Sequence, residues 1–183
     1  MPTEKRWVVK PQGAPATAAM LAAALRISPV LANLLVQRGI DTVEKADKFF
    51  KPNLADLHDP FLMKDMDKAV ERVERAVRDH EKIMVYGDYD VDGCTAVALV
   101  YKFLRQIGHK NLMFYIPDRY TEGYGISVKG IDLAARKGVG LIIALDCGIK
   151  ATEKVVYAKT KGVDFIICDH HLSLIHISEP TRP

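Results

Sequence analysis

The chain has 183 residues, 49% of them hydrophobic and 27% charged, which is enough to bury one core with a small appended subdomain, so disorder is not the first reading. Lys and Arg number 26 against 23 Asp and Glu, a formal charge of +3, so a protein held on nucleic acid by bulk charge is excluded and any such contact must be local. The longest apolar runs, such as Val139 to Leu145, fall far below the roughly 18 residues of a membrane span, and Glu4, Lys5 and Arg6 stand where a signal peptide has its apolar core; a cytoplasmic protein without membrane contact is expected.

From Ala14 to His80 the pattern is helical. An Ala-rich stretch, Ala18 to Leu25, precedes Ser28-Pro29, an N-cap followed by proline at the first helical position, which leads into Leu31, Leu34 and Leu35 and stops at Gly39. A third helix is predicted from Asp41 to Phe50, because Glu44 follows Asp41 by three residues and Pro52 closes the segment. Lys51 to Leu62 reads as a linker. Met66, Ala69, Val70, Val73, Ala76 and Val77 then recur at helical spacing and make one apolar face, which should pack on whatever follows.

From Lys82 the period changes. Apolar runs at Ile83 to Tyr86, Leu112 to Ile116, Leu141 to Leu145 and Val163 to Ile167 read as buried strands. Between them Cys94 to Gln106, Ile126 to Lys137 and Ile149 to Lys161 are long enough for crossover helices. This alternation predicts an α/β fold: a mostly parallel sheet with helices on both faces and right-handed crossovers, preceded by the small helical region. No internal repeat or low-complexity tract is present.

The acidic residues fall directly after these runs: Asp88, Asp90 and Asp92 after the first strand, Asp146 after the third, and Asp169, His170 and His171 after the fourth. In an open parallel sheet the carboxyl ends of the strands share one edge, so the three segments should converge. Closely spaced carboxylates either raise one another's pKa values or bind a cation, and the imidazoles favour a metal. Mixed carboxylate and imidazole donors suit Mn²⁺, with Mg²⁺ at a more oxygen-rich position. The donors exceed one coordination shell, which points to two ions, and a pair about 3.5 to 4 Å apart makes phosphoester hydrolysis the natural reaction. Taken alone, a DxDxD turn is as often a solvated or calcium-type loop, and a His pair is usually a surface feature. The three cysteines, Cys94, Cys147 and Cys168, are odd in number and lack CxxC spacing. They read as small buried residues near the site in a reducing compartment, not as disulfides or ligands.

The loop from Pro117 to Gly125 follows the second strand and should overhang the same edge. Arg119 could grip a phosphate, Tyr120 and Tyr124 could stack a base or sugar, and Gly123 and Gly125 could let the backbone approach a ligand. A rigid turn with its tyrosines on the core stands at equal weight. Lys129 is a weaker phosphate candidate, and Lys102, Arg105 and Lys110 read as a solvated face.

Asp88-Tyr89-Asp90-Val91-Asp92-Gly93, Asp146-Cys147-Gly148 and Asp169-His170-His171 resemble the first three motifs of the DHH phosphoesterase superfamily. The run Val85 to Gly93 and the loop Arg119 to Gly125 resemble its RecJ branch, the single-stranded-DNA-specific exonucleases, and the likeness extends from Trp7 to His171. The resemblance implies metal-dependent 5′ to 3′ hydrolysis of single-stranded DNA in recombination and repair, using Mn²⁺ or Mg²⁺. By motif, Asp88, Asp90, Asp92, Asp146 and His170 would hold metal, His171 would contact the scissile phosphate, and Asp169 would brace the pair. Arg119, Tyr124 and Gly125 would meet the substrate. A single-stranded-DNA-binding protein and a helicase are the partners the resemblance implies.

The expected organisation is a helical region and linker over 1–62, an incomplete DHH domain over 63–171, and an atypical tail over 172–183. The tail departs from the family pattern and reads as a foreign terminus or as a short strand from Leu174 to Ile177; without the fourth motif and second domain, exonuclease activity of the chain alone is not expected. Related readings are a DHH phosphodiesterase acting on cyclic dinucleotides or short oligonucleotides, a non-catalytic DHH scaffold, and a receiver-like signalling domain. The His pair disfavours the receiver, and intact ligands disfavour the scaffold.

Overall fold

The structure is a computed structural model that describes residues 8–171. Trp7 and the tail over 172–183 lie outside the described residues. Two compact units divide the chain, Met1–Leu62 and Met63–Pro183.

The first unit holds α1 (Pro15–Leu25), α2 (Pro29–Val36) and α3 (Val43–Phe50). Pro15 sets the start of α1 three residues before the Ala-rich stretch, since proline is pre-organised for the first helical turn. Ser28 caps α2 as predicted, its Oγ accepting the Leu31 N–H at 3.3 Å. For α3 the cap is Thr42, whose Oγ1 accepts the Lys45 N–H at 3.2 Å; Asp41 instead pairs with the Lys45 ammonium at 2.7 Å. Leu21, Ala32, Leu35 and Ala46 form the small core of this unit. The expected linker contains two short 3₁₀ turns, Leu54–Asp56 and Pro60–Leu62, each anchored by a side-chain carbonyl or carboxylate, of Asn53 and Asp59, that accepts a backbone N–H.

The second unit runs α4 (Met66–Arg78), β1 (Lys82–Tyr86), α5 (Val91–Gln106), β2 (Leu112–Tyr115), α6 (Val128–Arg136), β3 (Val139–Leu145), α7 (Thr152–Thr160) and β4 (Asp164–Cys168). All strand pairs are parallel, in the order β2-β1-β3-β4. The chain steps outward from β1 to β2, then returns past β1 to β3, and this reversal puts α5 on one face and α6 and α7 on the other. Side-chain alternation matches. Ile83, Val85, Leu141 and Ile143 pack with Ala76 of α4 and with Val97 and Leu104 of α5. Met84, Tyr86, Ile142 and Ala144 pack with Ile131 and Ala134 of α6 and Ala158 of α7. Burial on both faces explains why β1 and β3 read as unbroken apolar runs, each large side chain contributing about 1.5–3 kcal/mol.

An ion-pair clasp ties α4 to the far edge of this sheet. Arg72 Nη2 lies 2.7 Å from Glu81 Oε2, and Arg72 Nε lies 2.8 Å from Asp164 Oδ2 at the start of β4. Among the described residues no helix is long and apolar enough to cross a membrane.

Candidate metal centre

The carboxyl ends of the strands lie on one rim of the second unit, and each delivers a polar segment there. After β1 comes Asp88, fully buried, whose Oδ1 accepts the Tyr89 N–H at 2.6 Å and whose Oδ2 accepts the Gly125 N–H at 3.0 Å. Burial pushes the Asp88 carboxyl above its usual range; the two N–H donors oppose this, and the charges of Asp90 and Asp146 add to it.

Asp90 is the N-cap of α5, its Oδ1 accepting the Gly93 N–H at 2.9 Å, which starts this helix three residues before the predicted Cys94. The start of the helix also decides where Asp92 goes. Two-residue spacing would align three carboxylates on an extended segment, but the chain is already helical at Val91, and Asp92 stands exposed in the first turn of α5. The carboxylates whose charge reaches Tyr124 and Cys147 are Asp88, Asp90, Asp146 and Asp169.

After β3, Asp146 adopts the left-handed conformation at φ 59°, which Asp tolerates better than most residues. Its N–H donates to the Cys168 carbonyl at 2.8 Å, and its Oδ1 lies 3.0 Å from His170 Nε2. After β4, Asp169 is almost wholly enclosed: Oδ2 accepts the Ile149 N–H at 2.9 Å, and Oδ1 accepts the His171 N–H and lies 2.7 Å from His171 Nδ1. Burial opposes its charge, yet the N–H groups of Ile149 and His171 and the His171 ring outweigh burial and hold the carboxyl below its usual range. Hydrogen bonding to Asp169 in turn raises His171.

Donor atoms of Asp146, His170 and His171 lie within 4.8 Å of one another. With bonds on the order of 2.1 Å, donors on one divalent ion stand within about 4.2 Å, so the trio is set close to coordination spacing. The donor set, one carboxylate and two imidazoles beside buried Asp88 and capping Asp90, fits a divalent transition metal.

The loop after β2 overhangs this rim. The Tyr124 hydroxyl lies 3.4 Å from the Asp146 carbonyl and 3.5 Å from His171 Nε2. Its ring stands edge-on to both His171 and Tyr89, and burial together with the surrounding carboxylates pushes its hydroxyl up to about 12. Arg119 is exposed with its guanidinium 5.3 Å above the Tyr89 ring. Gly125 does something other than the sequence suggested. It is buried at φ 82°, its N–H turned to Asp88 and its carbonyl to the Tyr86 hydroxyl at 2.9 Å, so its backbone serves the carboxylate directly. Lys129 approaches Glu122 at 3.6 Å. A cleft of about 580 Å³ runs from Tyr124 and His171 past Gly148 to Lys150 and Lys154.

Two residues that sequence patterning does not single out hold the loop in place. Glu122 accepts hydrogen bonds from the Tyr115 and Ser127 hydroxyls and from the Asp118 N–H. The buried Tyr86 hydroxyl bridges Gly125 and Ser127. Both fall within runs that resemble the family, Tyr86 in Val85 to Gly93 and Glu122 in Arg119 to Gly125, but their part in holding the loop shows only when it is folded. Of the cysteines, Cys147 is buried as expected, whereas Cys94 and Cys168 are exposed, one on the first turn of α5 and one at the end of an edge strand.

Residues 82–182, more than half of the chain, match the DHH family, N-terminal domain. The chain is 44% identical over 80% of its length to the single-stranded-DNA-specific exonuclease RecJ of Bacillus subtilis, and 33% identical over 80% to that of Escherichia coli. It spans 19% and 25% of those two proteins. Among solved structures it is similar to RecJ of Thermus thermophilus in complex with Mn²⁺, with a TM-score of 0.63 and 27% identity over 88% of this chain and 22% of that one. It is also similar to an exonuclease RecJ bound to manganese, with a TM-score of 0.56 and 32% identity over 60% of this chain and 28% of that one. The matched span takes in the polar segments after β1, β3 and β4 alike, and by that match the chain belongs to the DHH family.

Proposed function

We propose that this chain carries the first part of the active site of a metal-dependent exonuclease that hydrolyses single-stranded DNA from the 5′ end. The observation that carries the reading is the meeting of Asp146, His170 and His171 donor atoms within 4.8 Å, on the rim that also holds Asp88 and Asp90. Similarity to RecJ proteins with bound Mn²⁺ supports manganese as the ion, with magnesium as the alternative and two ions as the expected number. A divalent pair supplies charge neutralisation at the phosphoryl oxygens and an acidified water.

The chain's own residues do the rest. Asp88, Asp90, Asp146 and His170 would hold metal, and Asp92, on the exposed first turn of α5, is the weakest member of that set. Asp169 orients the His171 ring through Nδ1, and His171 would contact the scissile phosphate through Nε2. Tyr124 closes one side of the cleft and offers a ring for a sugar or base. Arg119, resting on Tyr89 and exposed, would offer its guanidinium to a backbone phosphate. The substrate partner is single-stranded DNA; a cytoplasmic location, a single-stranded-DNA-binding protein and a helicase belong to the same reading.

Titrating the chain with Mn²⁺ by calorimetry tests the site: binding is expected, and Asp146→Asn should abolish it. Digestion of 5′-phosphorylated single strands against cyclic dinucleotides, by a full-length protein that carries this chain, tests the substrate. Preference for the cyclic dinucleotide would replace the exonuclease with a DHH phosphodiesterase.

A further inference from the structure

We infer that Glu122 is a positioning residue for the metal centre: by gathering Tyr115, Asp118 and Ser127 on one buried carboxylate, it closes the loop after β2 and aims the Gly125 N–H at Asp88. The inference rests on the metal-centre reading of Asp88 given above.

The connection can be followed bond by bond. The Glu122 side chain is 5% exposed. Its oxygens receive the Tyr115 hydroxyl at 2.7 and 2.8 Å, the Asp118 N–H at 3.0 Å and the Ser127 hydroxyl at 2.5 Å. Tyr115 is the last residue of β2, and Ser127 is the N-cap of α6, its Oγ accepting the Gly130 N–H at 2.9 Å. The carboxylate therefore joins the end of a strand to the start of the next helix, across a loop that has no regular structure of its own. From Ser127 the path continues through its N–H to the Tyr86 hydroxyl at 3.0 Å, and from Tyr86 to the Gly125 carbonyl at 2.9 Å. Gly125 then donates to Asp88 at 3.0 Å.

A glycine at φ 82° has little intrinsic preference for that conformation over others, so its direction must come from its neighbours. Tyr86 holds one side of the peptide, and the turn fixed by Glu122 delivers it. Asp88 is fully buried among like charges, where a donated N–H counts for most. Removing Glu122 leaves the Tyr115 and Ser127 hydroxyls without their acceptor and lets the loop relax away from Asp88.

The test reads the Gly125 amide by NMR and Mn²⁺ affinity by calorimetry in the chain and in Glu122→Ala and Glu122→Gln. In Glu122→Ala the Gly125 amide proton should move upfield and lose at least ten-fold of its protection from exchange, while the Ile142 amide in β3 holds. Mn²⁺ affinity should fall by about 10- to 100-fold, the range for groups that orient metal ligands, with Glu122→Gln recovering part of both. An unchanged Gly125 amide overturns the inference, and so does a released amide with unchanged affinity. A wild-type chain that binds no Mn²⁺ sinks the metal reading itself and the inference with it. If Glu122→Ala does not fold, Tyr115→Phe removes a single donor and should move both readouts in the same direction by a smaller factor; no movement in either would overturn the inference.

Discussion

His171 Nδ1 stands 2.7 Å from Asp169 Oδ1, and Asp169 is itself pinned by the Ile149 N–H. The Asp169 carboxylate occupies Nδ1 and favours the charged ring, which leaves Nε2, the nitrogen that faces Tyr124, to meet a ligand. We expect Asp169→Asn to keep the fold, because an amide retains one acceptor for the Ile149 N–H, and to lower turnover of single-stranded DNA by a full-length protein that carries this chain by about 10- to 100-fold. A nuclease assay alongside a thermal melt checks this, and equal turnover would show that the pair is structural only.

Gly93 lies where α5 begins, and a Cβ added there would stand 2.6 Å from both the backbone nitrogen and the backbone oxygen of Asp88. Backbone cannot rotate aside as a side chain can. Gly93→Ala should therefore cost about 1–3 kcal/mol, the usual range for overpacking, and displace Asp88. Urea unfolding measures the first effect and metal titration the second; a stable variant with normal affinity would contradict the close approach.

Arg72 is the hub of the α4 clasp, 14% exposed and paired with Glu81 and Asp164, of which the latter is half open to water. Solvent screening of Asp164 discounts that arm, and we expect Arg72→Met to cost about 1.5 kcal/mol, the low end for hydrogen bonds to charged groups. Because Asp164 opens β4, hydrogen exchange in that strand should rise more than in β1. Equal changes in both strands would argue against a local clasp.

Acid should release the loop after β2. Burial works against the Glu122 charge, but the Ser127 hydroxyl, the Asp118 N–H and the Tyr115 hydroxyl together hold its carboxyl below the ordinary range. A carboxyl depressed in the folded state contributes stability that is fully present above its unfolded pKa of about 4.3 and is lost as pH falls through the lower folded value. The stability gap between the chain and Glu122→Gln should stay constant near neutrality and shrink only below about pH 4. Urea midpoints across a pH series check the sign, since a gap that grows on acidification would reverse it.

The parallel sheet was readable because β1 and β3 are covered on both faces and so appear as unbroken apolar runs, while Ser28-Pro29 announces a helix start on its own. Strand and helix ends moved by up to three residues; at α3 and α5 the reason is a competing cap, Thr42 in place of Asp41 and Asp90 starting the helix early. The meeting of Asp146 with His170 follows from topology, which sequence pattern conveys. The place of Asp92 does not follow from topology, because spacing alone cannot say where an extended segment turns helical. Nor does the bond from Gly125 to Asp88, which joins residues 37 positions apart through a loop with no period to read.

The two rims of the sheet bear unequal burdens. One rim gathers the polar segments of the metal centre, while the other carries, among the described residues, the Arg72 clasp and the turns around His80, Gly108, Gly138 and Gly162, which lead into β1, β2, β3 and β4. Peptide tags spliced into those turns, or a circular permutation opened there, would leave the chemistry untouched, and the same lengthening on the opposite rim would not.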